Sequence, residues 1–315
     1  MGTVGGGAVH DVAIVGAGAM GCLFGARLIE AGVAVTLIDS NVQRLEDIRS
    51  KGLVLTDDAG TRTMQPQTAS AGEFPGPVDL VVLFTKGMYS AAAVRSVAHL
   101  AVRRPIALTL QNGLGNAEIL AETFGADRVL KGTAHVPADW QPPNKVVTHG
   151  FADIDLGGHT PAAHALAATV GQLLTASGFD VKVRADIDVG VWNKLAFNAA
   201  LNALATVTGS TNAGMDCPPG HRVSEAVVRE VVAVAAAGGL QLDADHVIAT
   251  ALKALREHPG HKPSMLQDRE AGRATEIESI NGAVVALGQQ RGVPTPVNAT
   301  LADLVRLIEA RAARA

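Results

Sequence analysis

The sequence predicts an α/β domain built on a parallel sheet, followed by an all-α domain, with the change near residue 185. Three observations carry this reading. A short apolar strand, Asp11–Val15, runs straight into a glycine loop, Gly16-Ala17-Gly18-Ala19-Met20-Gly21, then a helix and a second strand. Further apolar runs at 79–85 and 106–110 have the unbroken character of strands covered on both faces, and 129–133 continues the sheet. From Ile187 onward no convincing strand remains, and helical patterns succeed one another to the end.

Composition bounds the possibilities. At 315 residues the chain exceeds what one small core usually holds, so two domains are the default. Hydrophobic residues make up 48% and charged residues 18%, enough apolar material for two cores. A net charge of -4 and the lack of any dense Lys/Arg run argue against a nucleic-acid partner. Cys22 and Cys217 form neither a disulfide framework nor a zinc pattern, which fits a reducing, cytoplasmic setting. No apolar run of about 18 residues is present to span a membrane. The histidines are scattered and no metal site is expected. Residues 1–10 are Gly-rich with no basic or apolar region of a signal peptide, and read as a flexible lead-in.

In the first half, residues 22–31 read as a helix and 33–38 as a strand ending at Asp39. Strand, glycine loop, helix and strand in this order is the dinucleotide fingerprint of a Rossmann-type domain. Gly16 allows the tight turn, Gly18 lets backbone approach a pyrophosphate, and Gly21 lets the helix pack on the strand. Ala19 and Met20 open the helix, whose N–H groups and positive dipole end suit phosphate. Asp39 lies eighteen residues after Gly21, where a carboxylate accepts from both hydroxyls of the adenine ribose and repels a 2′-phosphate. Its neighbours are Ser40 and Asn41, with Arg44 the nearest cation, so the local chemistry favours NAD(H). The plain alternative is that Asp39 caps the helix beginning near Val42. Residues 53–55 suggest a strand of a side hairpin. The strand at 79–85 delivers Lys86 to the carboxyl edge of the sheet, and the strand at 106–110 delivers Gln111 and Asn112 in a tight Gly113/Gly115 loop. Residues 145–148 and 153–156 read as a hairpin around Gly150, 162–177 as a helix and 180–184 as a last strand.

The second half is organised by residues 191–208, a helix with no Gly or Pro and mostly Ala, Leu and Val. Lys194, Asn198 and Asn202 are spaced four apart, so they form one slightly spiralling polar stripe. Buried without partners such groups cost several kcal/mol, so the stripe must meet water, a partner or a ligand. Residues 209–222 read as a loop, 223–237 and 244–256 as helices, and 257–263 as a breaker loop leading to Ser264. A helix over 275–289 presents Ile277, Ile280, Val284 and Leu287 on one face, with Thr275 as a cap; Pro294 and Pro296 precede a final helix over 299–313.

Five stretches together resemble the ketopantoate reductase (2-dehydropantoate 2-reductase) family, a two-domain type similar to 6-phosphogluconate dehydrogenase. They are the Gly16–Gly21 fingerprint, T-K-G around Lys86, Q-N-G-L-G around Asn112, W-N-K-L-A-F-N-A-A-L-N around Lys194, and S-M-L-Q-D with T-E-I-E-S-I-N-G near the end. The resemblance implies that Lys194 is the general acid toward a ketone oxygen and that Glu276 hydrogen-bonds and helps place that lysine or the substrate. It implies that Asn198 and Asn202 hold polar groups of the substrate, that Ser264 binds its carboxylate, and that Asn112 lies near nicotinamide and substrate, with Lys86 on the cofactor side. The implied reaction is reduction of 2-dehydropantoate, a 2-keto acid, to (R)-pantoate on the pantothenate route. NADPH is the family's usual donor, but members using it usually carry an Arg where Ser40 stands, whereas members resembling D-mandelate-type 2-hydroxyacid dehydrogenases use NAD. Both NAD(H) and NADP(H) therefore stay open.

Physically the assignment is coherent. Reduction of a ketone develops negative charge on its oxygen, which a cationic lysine stabilises and protonates. An NAD-dependent D-2-hydroxyacid dehydrogenase is the alternative among enzymes. A non-catalytic dinucleotide sensor is the alternative of another class, which need not keep a proton donor. The site is expected between the two domains, and the apolar helical domain suits a homodimer.

Overall fold

The computed structural model describes residues 9–312, so the expected lead-in lies outside the described residues except for Val9 and His10. The first part runs β1 (Asp11–Val15), α1 (Ala19–Glu30), β2 (Ala34–Ile38), α2 (Val42–Lys51), β3 (Leu53–Asp57), β4 (Gly60–Met64), β5 (Gln67–Ala69) and β6 (Leu80–Leu83). It continues with α3 (Ser90–Ser96), β7 (Ile106–Thr109), α4 (Asn116–Phe124), β8 (Val129–His135), β9 (Asp139–Gln141), β10 (Lys145–Val147), β11 (Asp153–Gly158), α5 (Pro161–Ala176) and β12 (Asp180–Val183). Eight strands form one sheet in the order β12-β11-β8-β7-β6-β1-β2-β5, and β4-β3-β10-β9 form a second, smaller one. In the larger sheet every pairing is parallel except β11 with β8.

β1 pairs with β2 on one side and β6 on the other. Chain order reverses at that strand, and ligands of open α/β sheets bind outside the carboxyl ends of the strands there. β6 and β7 are buried along their whole length, as continuous apolar runs require. Phe24 of α1 stacks on Phe179 at 4.3 Å and meets Phe84 at 4.6 Å between ring centres, contacts worth about 0.5–1.5 kcal/mol each beyond burial.

The hairpin expected around Gly150 does not form. β10 is already paired on both edges, parallel to β3 and antiparallel to β9, so it has no edge to offer β11. β11 instead joins the large sheet antiparallel to β8. Gly150 turns the chain between the two sheets at φ +70°, its N–H held by the Asp58 carboxylate at 3.0 Å.

The second part contains α6 (Ile187–Thr208), α7 (Asn212–Met215), α8 (Pro218–Ala237), α9 (Ala244–Glu257), α10 (Ser264–Glu270), a π-helical turn (Glu278–Gly282), α11 (Ala283–Arg291) and α12 (Pro296–Ala312). The segment 209–222 is not all loop: it holds α7 and the first turn of α8. Pro218 and Pro219 fall in the stretch expected as loop, yet they occupy the first turn of α8, where a missing N–H loses nothing. Leu195, Ala196, Ala199, Ala200 and Ala203 of α6 pack in one core with Val227, Val231, Ile277, Ile280 and Val284.

Two compact units result. One holds the residues up to Gln111 together with Asn116–Ile187; the other holds Asn112–Gly115 and the chain from Asp188. The four-residue loop after β7 thus packs with the helical unit although its neighbours in sequence belong to the α/β unit. Among the described residues no helix is long and apolar enough to cross a membrane, and no His/Cys/Asp/Glu group is arranged to hold a metal ion.

The fingerprint glycines give a stability test. A Cβ at Gly21 would run into the carbonyl oxygen of Gly16, whereas a Cβ at Gly18 would meet nothing within 4 Å. Gly21→Ala is expected to cost roughly 1–3 kcal/mol or more in urea unfolding. Gly18→Ala is expected to stay within about 0.5 kcal/mol of the parent, with its loss confined to dinucleotide affinity in a fluorescence titration.

Candidate active site

The carboxyl edge of the large sheet collects the first group of candidate residues. β1 ends in Gly16, whose N–H donates to the Ile38 carbonyl at 2.7 Å and whose φ of +108° no side chain adopts easily. A Cβ there would press into the backbone of Phe84 and Thr85, so the loop crosses close over the end of β6. Gly18 precedes α1 in an extended conformation, and no side chain caps that helix. Half-buried Ala19 and Met20 form its first turn, which carries no acidic residue. Open space above Gly18 and an uncapped helix N-terminus fit the pyrophosphate of a dinucleotide.

Asp39 follows β2, where its carboxylate accepts the Ala17 N–H at 2.7 Å on one oxygen and the Asn41 N–H at 2.8 Å on the other. It therefore joins the glycine loop to the end of β2. It is not the cap of α2: Asn41 is, taking the Arg44 N–H at 3.0 Å on its side-chain oxygen. The Arg44 guanidinium lies 3.5 Å from Asp39 and stacks over the Trp140 ring at 5.3 Å. Neither Trp140 nor this stack is visible in the sequence, because Trp140 arrives on β9 from the smaller sheet.

Lys86 follows β6 at the same edge and is half-buried. The ends of β6 and β7 are tied by a polar network that sequence reasoning did not find. The Gln111 amide donates to the Thr85 carbonyl and, at 3.0 Å, to Ser90 Oγ; its oxygen accepts from Thr109 at 2.8 Å. Ser90, fully buried, donates to Asn116 at 2.8 Å. Gln111 thus fixes the point from which Asn112 departs.

The helical unit holds the second group. Loop Asn112–Gly115 is anchored there by the Leu114 N–H, which donates to the Ser279 carbonyl at 3.0 Å, and by the Leu114 side chain against the helical core. Gly113 has φ +84°, and a Cβ on it would strike that same carbonyl, so the loop sits directly on the turn after Glu276.

On α6, Lys194 and Asn198 are half-buried and Asn202 is 4% exposed. Burial lowers the Lys194 pKa to about 8, and the Glu276 carboxylate acts in the opposite direction. The structure therefore brings Lys194 and Glu276 into electrostatic contact, though they are 82 positions apart. The Asn198 Nδ2 is buried with no protein partner, a donor left over for a ligand. Asn193 Oδ1 is in the same condition. It precedes Lys194 and was missed because it breaks the four-residue spacing. Ser264 is the exposed first residue of α10; Pro263 holds the cap position, and no side-chain bond caps the helix. Thr275 Oγ1 accepts the Ile277 N–H at 3.3 Å.

Known proteins share both units. Residues 12–161 match the family described as Ketopantoate reductase PanE/ApbA, and residues 186–309 match Ketopantoate reductase PanE/ApbA C terminal. The chain is 35% identical over 300 residues to the 2-dehydropantoate 2-reductase of Halobacterium salinarum, covering 95% of this chain and 98% of that one. The structure of D-mandelate dehydrogenase with NADH and anilino(oxo)acetate superposes with a TM-score of 0.92 at 28% identity, covering 96% of this chain and 99% of the other. A 2-dehydropantoate 2-reductase structure from Geobacter metallireducens gives a TM-score of 0.88 at 30% identity, covering 94% of this chain and 99% of the other.

The electrostatics of the second group can be tested without any substrate. Lysine-labelled NMR, with Lys194 identified by its loss in Lys194→Arg, is expected to show one amine titrating near 8. In Glu276→Gln that midpoint moves down, because the removed carboxylate was favouring the charged form. An amine titrating at the ordinary lysine value in the parent protein would contradict the desolvation.

Proposed function

Because the chain belongs to the ketopantoate reductase family, we propose that it reduces a 2-keto acid, 2-dehydropantoate in the first place, to the (R)-2-hydroxy acid at the expense of a reduced nicotinamide dinucleotide. The observation that carries this reading is Lys194: a desolvated ammonium under the influence of Glu276, on a helix that also presents the unpartnered Asn198 Nδ2. The bound dinucleotide supplies the hydride for the ketone carbon. Lys194 Nζ stabilises the charge that develops on the ketone oxygen and passes its proton to it. Glu276 keeps the amine in its protonated form and orients it. Asn198 and Asn202 bind polar groups of the substrate without adding charge, Ser264 takes its carboxylate, and Asn112 aligns substrate with nicotinamide. Backbone at Gly16, Gly18, Ala19, Met20 and Gly21 receives the pyrophosphate, Lys86 lies on the cofactor side, and Asp39 receives the adenine ribose.

For the cofactor we infer a preference for NADH. The Asp39 carboxylate offers an acceptor to the ribose hydroxyls and repels a 2′-phosphate. No Arg stands at Ser40, and Arg44 is engaged with Asp39 and Trp140. This same preference supports the second reading, a D-mandelate-type dehydrogenase acting on a bulkier acid, since the similar D-mandelate dehydrogenase was solved with NADH.

Initial rates with NADH and NADPH, using 2-dehydropantoate beside benzoylformate, decide among these. NADH is expected to give the higher kcat/KM, and Asp39→Ser combined with Ser40→Arg to move the ratio toward NADPH. A parent enzyme favouring NADPH overturns the cofactor inference, and better turnover of benzoylformate selects the second reading. Lys194→Ala is expected to lower kcat roughly 10²–10⁴-fold while still binding dinucleotide; retention of full rate removes the proton-donor assignment.

The pH dependence has a fixed sign. Reduction needs Lys194 charged, so kcat/KM falls as pH rises through about 8. Oxidation of the hydroxy acid needs the neutral amine and rises through the same value. A reduction rate flat from pH 7 to about 9 is incompatible with this donor.

A further inference from the structure

Glu276 influences Lys194 only if the segment carrying it is seated in one register against α6. The apolar side of that seat, Ile277, Ile280 and Val284 against Leu195, Ala196 and Ala199, is closely buried but has no direction of its own. Direction comes from Asn281. Its Nδ2 donates to the Ala199 carbonyl of α6 at 3.1 Å and to Asn298 Oδ1 at 3.0 Å, and its side chain is wholly buried. Ala199 is next to Asn198 and lies five residues beyond Lys194, so the bond holds α6 little more than one turn from that lysine.

The grip is itself anchored. Asn298, also wholly buried, donates from Nδ2 to Glu230 Oε2 at 2.7 Å and, at 3.4 Å, to the Val227 carbonyl. The Glu230 carboxylate also accepts the Val297 N–H at 2.8 Å and the Asn298 N–H at 2.9 Å, and so closes the N-terminus of α12. Four elements of the helical unit, α6, the π turn, α8 and α12, meet in this chain of bonds.

Asn281 lies inside the π turn. The Gly282 N–H donates to the Ile277 carbonyl at 2.9 Å, five residues back, while the Ile280 N–H donates to Glu276 four back at 3.1 Å. One extra residue in the turn rotates the residues C-terminal to it about the helix axis, and such turns persist where another interaction compensates for the poorer helix. Here the Ser279 carbonyl takes the Leu114 N–H, and Asn281 points inward.

We propose that Asn281 is a positioning residue: by bonding Ala199 it holds the turn after Glu276 in register with α6, and so sets the separation of the Glu276 carboxylate from the Lys194 ammonium. The proposal rests on the reading of Lys194 and Glu276 as a catalytic pair for its bearing on rate, but not for its bearing on the titration of Lys194.

The test is therefore the Lys194 titration by lysine NMR in the full chain, run beside the kcat/KM profile for reduction. In Asn281→Ala the Lys194 midpoint is expected to fall by about one pH unit, since a weakened carboxylate no longer offsets desolvation. The alkaline limb of the rate should fall with it, and kcat should drop about tenfold or more. Leu255→Ala, a buried change in α9, lowers the melting temperature but should leave the midpoint in place. If Asn281→Ala does not fold, Glu230→Gln carries the test, because it turns an acceptor of three donors into a group that competes with them; a smaller fall in the same direction is expected. A midpoint unmoved in the variant that folds overturns the proposal. A midpoint that moves in a protein with no keto-acid turnover leaves the positioning role standing and removes the proposed function instead.

Discussion

A lysine amine withdrawn from water gives up its proton more readily, and Lys194 does so from about 8 instead of 10.5. That difference corresponds to about 3 kcal/mol held against the fold wherever the amine is charged. Its sign comes from linkage. Below 8 the amine is protonated in both folded and unfolded chains, and the full cost is present. Between 8 and 10.5 the unfolded chain binds the extra proton, so stability rises with pH and the cost disappears. A protein working near neutrality carries this burden continuously, which is the expected signature of a group retained for chemistry. Glu276 limits the burden without removing it.

Much of the helical unit is arranged around that constraint. A charged head can be desolvated only if its helix is packed closely, and the alanines at 196, 199, 200, 203 and 205 give α6 a surface low enough for neighbours to approach on several sides. The amides of Asn193 and Asn198 add polar groups that cannot themselves ionise, so they leave the balance between Lys194 and Glu276 undisturbed. Loop Asn112–Gly115 and the π turn share a hydrogen bond at Ser279, which couples the placement of Asn112 to the segment that carries Glu276.

The parts of this arrangement that repeat along the chain were legible in the sequence. Strand, Gly16–Gly21 loop and helix is a local pattern, and the Lys194, Asn198, Asn202 spacing is a property of one helix. Features made by distant residues were not. The apolar run at 145–147 looks equally suited to pair forward or backward, and only the vacancy beside β8 decides that β11 goes there. Gln111, Ser90 and Asn116 are ordinary polar residues until β6 and β7 bring them together. The π turn is invisible because 275–289 has a serviceable helical period; it coincides with bonds from Asn281 to Ala199 and Asn298, which lie far off in sequence. The start of α8 at Pro218 and Pro219 lay hidden in the stretch read as loop, because proline fits a helix only in its first turn.

Asp39 shows why a cofactor preference is hard to read from one position. Its carboxylate accepts from Ala17 and Asn41, so it is part of the framework that joins the glycine loop to β2, whatever dinucleotide is bound. Its charge is also shared with Arg44, whose guanidinium is steadied over Trp140. Trp140 enters through the smaller sheet, about a hundred residues later in the chain. The potential at the end of β2 is thus set by three residues from three elements, with the carboxylate held in place by backbone donors and the cation by an aromatic face. A 2′-phosphate would have to draw Arg44 away from both partners before it gained a counter-charge, whereas a ribose diol requires no such rearrangement. The asymmetry between these two costs, more than the bare presence of an acidic residue, is the physical basis on which we propose a preference for NADH.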